Sequence, residues 1–449
     1  MAKKEIRFEA EFTDVTDKGF GVCRAPDGRT LFAEDALAGE RAEVKVIKEY
    51  KSYLIGRVEK RLSDSPVRVE PNCGVYRRCG GCVYRHIDYA AELEYKRKSV
   101  EEQLRRIGGI SAEVPAPISG PAEGYRNKLL LPVGQRDGEL VCGFYAAHSH
   151  SITPWDDCRL HTPDFGAVTK ELLGLLKGKK AYDETTGKGL LRHIYLRKNR
   201  EGEFCVTVIV NGKGLPRAED IAEALMERCP QVGSFYVNLN TARTNTVTGP
   251  DWIHIRGKQY LSESLLGKRF LMSPASFFQV NTAMTEKLYA KAAEFADIKE
   301  GETVFDMYCG IGTVGLCICP DSALLCGVEI VQAAIENARV NASLNGRGED
   351  NARFFTCDAA EGFERCREAF GKSPDTVLLD PPRAGVAPSL VATLIEEAPK
   401  KIVYISCNPA TLARDIALLV GGGYRVEKLA TVDMFPRTGH VESVVCLSR

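Results

Sequence analysis

From about residue 271 onward the chain alternates short β-branched runs with helical stretches, and no other feature restricts the fold so tightly. The runs are TVFDMYC (303–309), LLCGVEI (324–330), ARFFTCD (352–358), TVLLDPP (376–382) and KIVYISCNP (401–409). Strands that recur with a helix between them must run parallel and cross over, which specifies a doubly wound α/β sheet. The last two runs, YRVEKLATVDMFP (424–436) and HVESVVCLSR (440–449), have no helix between them and are expected to pair antiparallel. In open α/β sheets ligands bind at the carboxyl ends of the strands. The residues that close each run are therefore the first candidates for chemistry.

Upstream the pattern differs. Residues 6–60 break into short apolar stretches separated by turns, with a strong hairpin signal at PDG (26–28), and read as a small antiparallel β-barrel. Residues 63–87 have little periodicity and hold three cysteines. A helix is expected over 88–107, with Leu93, Val100, Leu104 and Ile107 on one face and Gly108-Gly109 stopping it. Residues 125–265 carry strand candidates LLLPVG, LVCGFYA, LRHIYLRK, FCVTVIV and SFYVNLN, consistent with a mixed, largely antiparallel region. A chain of 449 residues exceeds one ordinary core. The reading is three parts: a barrel over 1–62, a central mixed α+β region over 63–270, and the doubly wound part over 271–449.

No apolar run approaches the roughly 18 residues of a membrane span, and MAKKEIRFEAEF lacks the apolar core of a signal peptide. These features predict a cytoplasmic protein. The net charge is +0 and says nothing of a nucleic-acid partner. Locally, Arg41, Lys45, Lys48, Lys51, Arg57, Lys60 and Arg61 outnumber Glu43, Glu49 and Glu59, a stretch that on charge alone reads as solvated surface. Sixteen cysteines in a cytoplasmic chain are not a disulfide framework. Most are expected to be reduced core residues, with a few left for a metal or for chemistry.

FDMYCGIGTVGL (305–316) runs a strand into Gly310, Gly312 and Gly315, a formal G-x-G-x-x-G, and Glu329 closes the next strand where a carboxylate meets ribose hydroxyls. This pattern alone serves NAD and S-adenosyl-L-methionine equally. Two features tilt it to the latter. Asp306 precedes the glycine turn, where a carboxylate suits a cation better than a pyrophosphate. LLDPPR (378–383) places Asp380 at a strand tip before a rigid double proline. Asp358, at the end of FFTCD, is a further candidate near the adenine.

Cys407 follows the fifth of these strands directly, on the same edge. A buried cysteine is usually inert packing. A thiolate at this tip can instead add to C6 of a pyrimidine and make C5 nucleophilic toward a methyl donor. A base must then remove the C5 proton, and Glu442 in FPRTGHVES (435–443) is the candidate; His440 reads as structural.

With FFQVN (277–281), DMYCGIGT (306–313), GVEI (327–330), LLDPPRAG (378–385), YISCNP (404–409) and FPRTGHVE (435–442) in this order, the chain resembles the S-adenosylmethionine-dependent RNA uracil-C5 methyltransferases. The resemblance implies a Rossmann-like class I methyltransferase domain, Cys407 as nucleophile and Glu442 as base. It implies Gln279, Tyr308, Glu329 and Asp380 as cofactor contacts; without it, Phe277 and Phe278 read as core and Gln279 as a loop residue. The N-terminal part resembles the small RNA-binding TRAM domain, which turns the basic stretch 41–61 into an expected RNA contact. GYRNKLLLPV (124–133) matches the start of the family's central domain, with Arg126 and Lys128 as RNA contacts. Base flipping follows, since the target must leave its stack. The implied partner is RNA, 23S ribosomal RNA rather than transfer RNA, acted on by a monomer with no DNA or membrane partner.

Cys73, Cys79 and Cys82 form C-x5-C-x2-C in a glycine-rich loop, with Cys158 in WDDCRLH as a distant fourth. The spacing allows zinc or iron–sulfur. The family resemblance favours a 4Fe–4S cluster that braces the central region. Cys309, Cys317, Cys319, Cys326 and Cys357 are expected to pack the core.

Overall fold

The computed structural model describes residues 5–147, 149–154 and 158–449. Six strands open the chain: β1 (Arg7–Glu11), β2 (Asp14–Val15), β3 (Phe20–Arg24), β4 (Thr30–Glu34), β5 (Arg41–Glu49) and β6 (Tyr53–Ser63). They form one sheet in the order β1-β5-β6-β4-β3-β2. The β3–β4 hairpin turns at PDG, where Gly28 takes φ +86° and donates to Ala25 O at 2.9 Å. The pairing is antiparallel except between β4 and β6, which run parallel because the β5 hairpin arm intervenes in sequence.

Helix α1 (Tyr89–Arg106) begins at the Asp88 cap, whose carboxylate accepts the Ala90 N–H at 3.0 Å. Its buried face is Glu92, Lys96, Val100 and Leu104. The expected apolar face is thus shifted: Leu93 is half-buried and Ile107 exposed. A charged pair has taken inward positions that an apolar pattern cannot announce.

The central sheet follows from β7 (Lys128–Arg136), β8 (Glu139–Tyr145), β9 (Ile152–Pro154), β10 (Leu191–Lys198), β11 (Phe204–Val210), β12 (Val232–Leu239) and β13 (Asp251–Gly257), in the order β13-β12-β11-β10-β7-β8-β9. Helices α2 (Asp164–Leu175) and α3 (Ala218–Arg228) pack on it and close an apolar cluster around Phe165, Phe204 and Phe235. Strands β10 and β11 are buried along almost their whole length; β11 is a near-continuous apolar run, as a strand covered on both faces requires. A short hairpin, β14 (Leu261–Leu265) and β15 (Lys268–Met272), leads to helix α4 (Thr282–Ala296).

The C-terminal sheet is the expected doubly wound one. Its strands are β16 (Thr303–Asp306), β17 (Leu324–Glu329), β18 (Ala352–Thr356), β19 (Thr376–Leu379), β20 (Lys401–Ser406), β21 (Arg425–Val432) and β22 (Glu442–Ser448), with α5 (Thr313–Ile318), α6 (Gln332–Leu344), α7 (Ala359–Phe370), α8 (Pro388–Glu397) and α9 (Pro409–Gly421) as connections. The order is β18-β17-β16-β19-β20-β22-β21, parallel through β20 and antiparallel at β22 and β21. The direction of winding reverses at the β16–β19 pair. That is the crevice where such sheets bind ligands.

The cysteines of this sheet depart from the expectation in one place. Cys326 and Cys366 are bonded to each other inside the apolar cluster of one sheet face. Cys357 is half-buried, packs against that cluster and also lines the cavity described below. Among the described residues, no helix is long and apolar enough to cross a membrane.

Candidate active site

One cavity of about 670 Å³ opens at the carboxyl edge of the C-terminal sheet. Gln279, Tyr308, Gly310, Glu329, Asp358, Asp380, Cys407 and Glu442 all line it. Each is positioned by local structure. Gly310 takes φ +54° at the end of β16, and a Cβ there would meet nothing within 4 Å, so the turn needs glycine for its backbone rather than for space. Glu329 closes β17 and accepts the Val331 N–H at 3.0 Å through one oxygen. Asp358 caps α7, accepting the Ala360 N–H at 2.9 Å.

Asp306 behaves differently from its expectation. It is fully buried, lines no part of the cavity, and accepts the Gly315 N–H at 2.9 Å. Its second oxygen has no partner among the described residues, and burial pushes its carboxyl up to about 7. It braces the glycine turn from behind instead of meeting a ligand.

Cys407 is the single residue between β20 and the Asn408 cap of α9. Asn408 also donates to Arg383 O at 3.0 Å, and Thr411 does so at 3.3 Å, which ties this tip to the DPPR loop after β19. Strand β22 pairs antiparallel with β20, with Ser406 opposite Ser443. One step further along that register places Cys407 across from Glu442, the first residue of β22. Glu442 is 3% exposed.

The electrostatics of the cavity are those of crowded acids. Burial, with Asp380 nearby, pushes Glu442 up to about 8. Burial alone pushes Asp380 up to about 7. Burial, then Glu442 and Asp380, push the Cys407 thiol up to about 11. Arg383 opposes the shifts of both Glu442 and Cys407. It also lies 3.2 Å from His440 Nε2, and His440 sits on the cavity wall. Carboxyl groups held at the strand tips can ionise to balance a cationic sulfonium ligand, which a pyrophosphate does not call for. This favours the sulfonium cofactor over the nicotinamide alternative.

Phe277 and Ile330 are among the lining residues that the residue pattern did not mark. Phe277 is 69% exposed at the cavity mouth, not core, while its neighbour Phe278 is buried. Ile330, 72% exposed, stands just past Glu329. Nothing in an aromatic pair or a strand-end isoleucine marks which side chain turns outward.

The cysteines of the predicted set come from two segments that the fold brings side by side. Cys73, Cys79 and Cys82 lie within each other's electrostatic reach. The segment of Cys158 runs beside 124–126, with Gly124 N–H to Arg159 O and Arg126 N–H to Leu160 O both at 2.8 Å; residues 155–157 of WDDCRLH lie outside the described residues. Among the described residues no group of three or more His, Cys, Asp or Glu side chains is placed to hold a metal ion. Cys79 Sγ accepts the Gly81 N–H at 3.4 Å. The donor type fits a soft metal or cluster.

In the basic stretch of β5 and β6, Arg41, Lys45 and Arg61 are in ion pairs with Glu9, Glu5 and Asp35. Lys48 instead lies 4.9 Å over the Tyr50 ring, which stacks on Tyr53. Lys128 is held 5.4 Å over Tyr195, and burial with Arg197 and Arg126 nearby lowers it to about 8.

A glycine turn after the first strand, a carboxylate on the second and an acid-lined crevice at the switch point define a class I methyltransferase-like fold and site. The comparisons agree. A TRAM domain model matches residues 7–58, and the tRNA (Uracil-5-)-methyltransferase family model matches 253–449. An uncharacterized RNA methyltransferase of Halalkalibacterium halodurans is 40% identical over 98% of this chain and 96% of its own. One from Listeria monocytogenes is 40% identical over 100% of this chain and 98% of its own. The structure of Pyrococcus abyssi tRNA (uracil-54, C5)-methyltransferase, solved with S-adenosyl-L-homocysteine, superposes with a TM-score of 0.78 at 27% identity, covering 98% of this chain and 100% of that one. The chain belongs to the RNA uracil-5-methyltransferase family, with an N-terminal TRAM domain, and is an S-adenosylmethionine-dependent RNA methyltransferase.

Proposed function

We propose that Cys407 and Glu442 form the catalytic pair that methylates C5 of a flipped uridine in 23S ribosomal RNA. The observation that carries the reading is their placement across the β20–β22 register in one cavity with the cofactor-facing residues. Gln279, Tyr308, Gly310, Glu329, Asp358 and Asp380 hold the cofactor, which when bound supplies an electrophilic methyl group on a positively charged sulfur. Cys407 gives its proton up to solvent and its sulfur adds to uracil C6; the electron pair displaced from the C5–C6 double bond makes C5 the nucleophile, which would bond the methyl carbon while the C–S electron pair stays on the cofactor's sulfur. Glu442 then takes the C5 proton; the C–H pair re-forms the double bond and expels the Cys407 thiolate. The raised carboxyl of Glu442 suits this role, because a base near neutrality gives up and accepts protons at working pH. Phosphate contacts come from the basic stretch 41–61 of the N-terminal sheet and from Arg126 and Lys128, which set affinity while base contacts set choice.

The division of labour follows the three parts read from the sequence: 1–62 for RNA, 63–270 for support and RNA, 271–449 for chemistry. A 4Fe–4S cluster on Cys73, Cys79, Cys82 and Cys158 belongs to this reading on donor type alone, as a brace; no step of the reaction runs through it. Iron and acid-labile sulfide, assayed in anaerobically purified protein, test it. Transfer RNA is the second substrate reading, favoured by the whole-length likeness to the Pyrococcus enzyme. Mapping 5-methyluridine in both RNAs from cells lacking the gene decides: loss of one site in 23S RNA is expected, and loss in transfer RNA alone would overturn it.

A further inference from the structure

Helix α1 buries Glu92 and Lys96 completely, 0% and 1% exposed. Such residues are almost never fully buried unless paired. The partners lie in the segment between β21 and β22. Lys96 Nζ donates to Glu92 Oε1 at 2.8 Å, to Asp433 Oδ1 at 2.7 Å and to Phe435 O at 3.2 Å, so its three protons are all used. The other oxygen of Asp433 accepts the Tyr89 hydroxyl at 2.8 Å. Glu92 Oε1 also accepts the Arg437 N–H at 2.7 Å, and Oε2 its guanidinium at 3.3 Å.

This segment, 433–441, is the one that delivers Glu442. Arg437 has φ +68°, a left-handed conformation that costs a non-glycine residue and persists only where neighbours enforce it. Glu92 enforces it from one side, and the N–H groups of Val83 and Tyr84, donating to Arg437 O at 2.9 and 3.1 Å, from another. Two residues on, Gly439 lies against the N-terminal sheet so closely that a Cβ would sit 1.6 Å from Asp17 O. A buried ion cluster of this kind adds little to stability over apolar packing of equal volume. What it adds is direction and register for the chain that carries it.

We propose that Lys96, Glu92 and Asp433 are positioning residues that fix the path of 433–441 and so set Glu442 opposite Cys407. The proposal rests on the reading of Glu442 as the base. Cys407 is held separately, by β20 and the α9 cap, so disturbing the cluster leaves addition to C6 intact and slows proton removal. The adduct then accumulates on ordinary uridine RNA.

The test uses the full-length protein with transcribed 23S RNA, and a transfer RNA transcript in parallel. It measures the rate at which denaturant-stable protein–RNA complex forms and the rate at which it releases methylated product. Three variants are compared: Lys96→Met; Lys96→Met with Asp433→Asn, which keeps charge balanced and leaves Glu92 facing Arg437; and Tyr89→Phe, which deletes one hydrogen bond and no charge. In the Lys96 variants release slows about 10- to 100-fold, as misplacement of a reacting group by an ångström does, while complex formation changes less than about threefold. Tyr89→Phe slows release by about threefold or more and decides the matter if the charge variants fail to fold. Release at the wild-type rate, or formation and release slowed equally, overturns the proposal. Glu442→Gln is run alongside. If it does not accumulate complex, the base assignment itself falls; if it does and the Lys96 and Tyr89 variants do not, only the positioning role falls.

Discussion

Glu442→Gln separates what this residue does for turnover from what it costs the fold. The carboxyl sits 3% exposed, beside Asp380, and is pushed from 4.5 to about 8. The folded state therefore holds a proton that the unfolded chain gives up. Stability from this group is fully present below pH 4.5 and is lost as pH rises through 8. At about 1.4 kcal/mol per pH step, the ligand-free protein forgoes on the order of 3 kcal/mol at pH 7 from this one group. Glutamine is nearly isosteric and carries no such charge. The substitution is thus expected to raise the apparent melting temperature of the ligand-free protein by about 5 °C or more at pH 8, and by almost nothing at pH 5. Over the same change, turnover falls about 10²- to 10⁴-fold, the worth of a positioned general base, while complex with uridine RNA builds up. Scanning calorimetry at the two pH values and a single-turnover assay read both. Equal melting shifts at pH 5 and pH 8, or turnover within a few-fold of the parent, would refute the reasoning.

Three further outcomes follow from the same crowded carboxyls. Arg383→Gln removes a cation that opposes the shifts of Cys407 and Glu442, so the thiol rises further and the pH profile of adduct formation moves to higher pH; stopped-flow adduct kinetics from pH 7 to 10 check it. Asp380→Asn weakens binding of S-adenosylmethionine by about tenfold, roughly 1.4 kcal/mol, and changes that of the uncharged S-adenosylhomocysteine much less, measured by calorimetric titration. Asp380 and Glu442 are partly protonated near pH 7, so the sulfonium cofactor expels protons when it binds; titrations in buffers of different ionisation enthalpy report net proton release, absent with S-adenosylhomocysteine.

The C-terminal sheet was readable because its strands are β-branched runs stopped by Gly, Asp or Asn-Pro, signals that local chemistry alone produces. The same stops put Gly310, Glu329, Asp358, Asp380 and Cys407 at strand tips, and tips of parallel strands share an edge. Strand order was not readable: that β16 lies between β17 and β19, and that β22 returns beside β20, depends on crossovers with no local mark. The inward face of α1 was misread because Glu92 and Lys96 look like surface residues, and the partner that buries them, Asp433, is 337 positions away from Lys96. Asp306 was read as a ligand contact since sequence shows it next to the glycine turn but not on which side. The three close cysteines and the distant Cys158 show the limit from the other direction. Spacing names them as a set and leaves the bound group open between zinc and a cluster.

The central claim is that the sulfur of Cys407 bonds transiently to the pyrimidine. Incubation with S-adenosylmethionine and RNA containing 5-fluorouridine tests it directly, because fluorine at C5 cannot leave as a proton and the adduct is held. Tryptic digestion isolates the thiol in IVYISCNPATLAR, residues 402–414. The account predicts a fluorinated, methylated nucleotide mass on that peptide, and none with Cys407→Ser. A stable adduct on another residue, or methylation by Cys407→Ser at the parent rate, would contradict it.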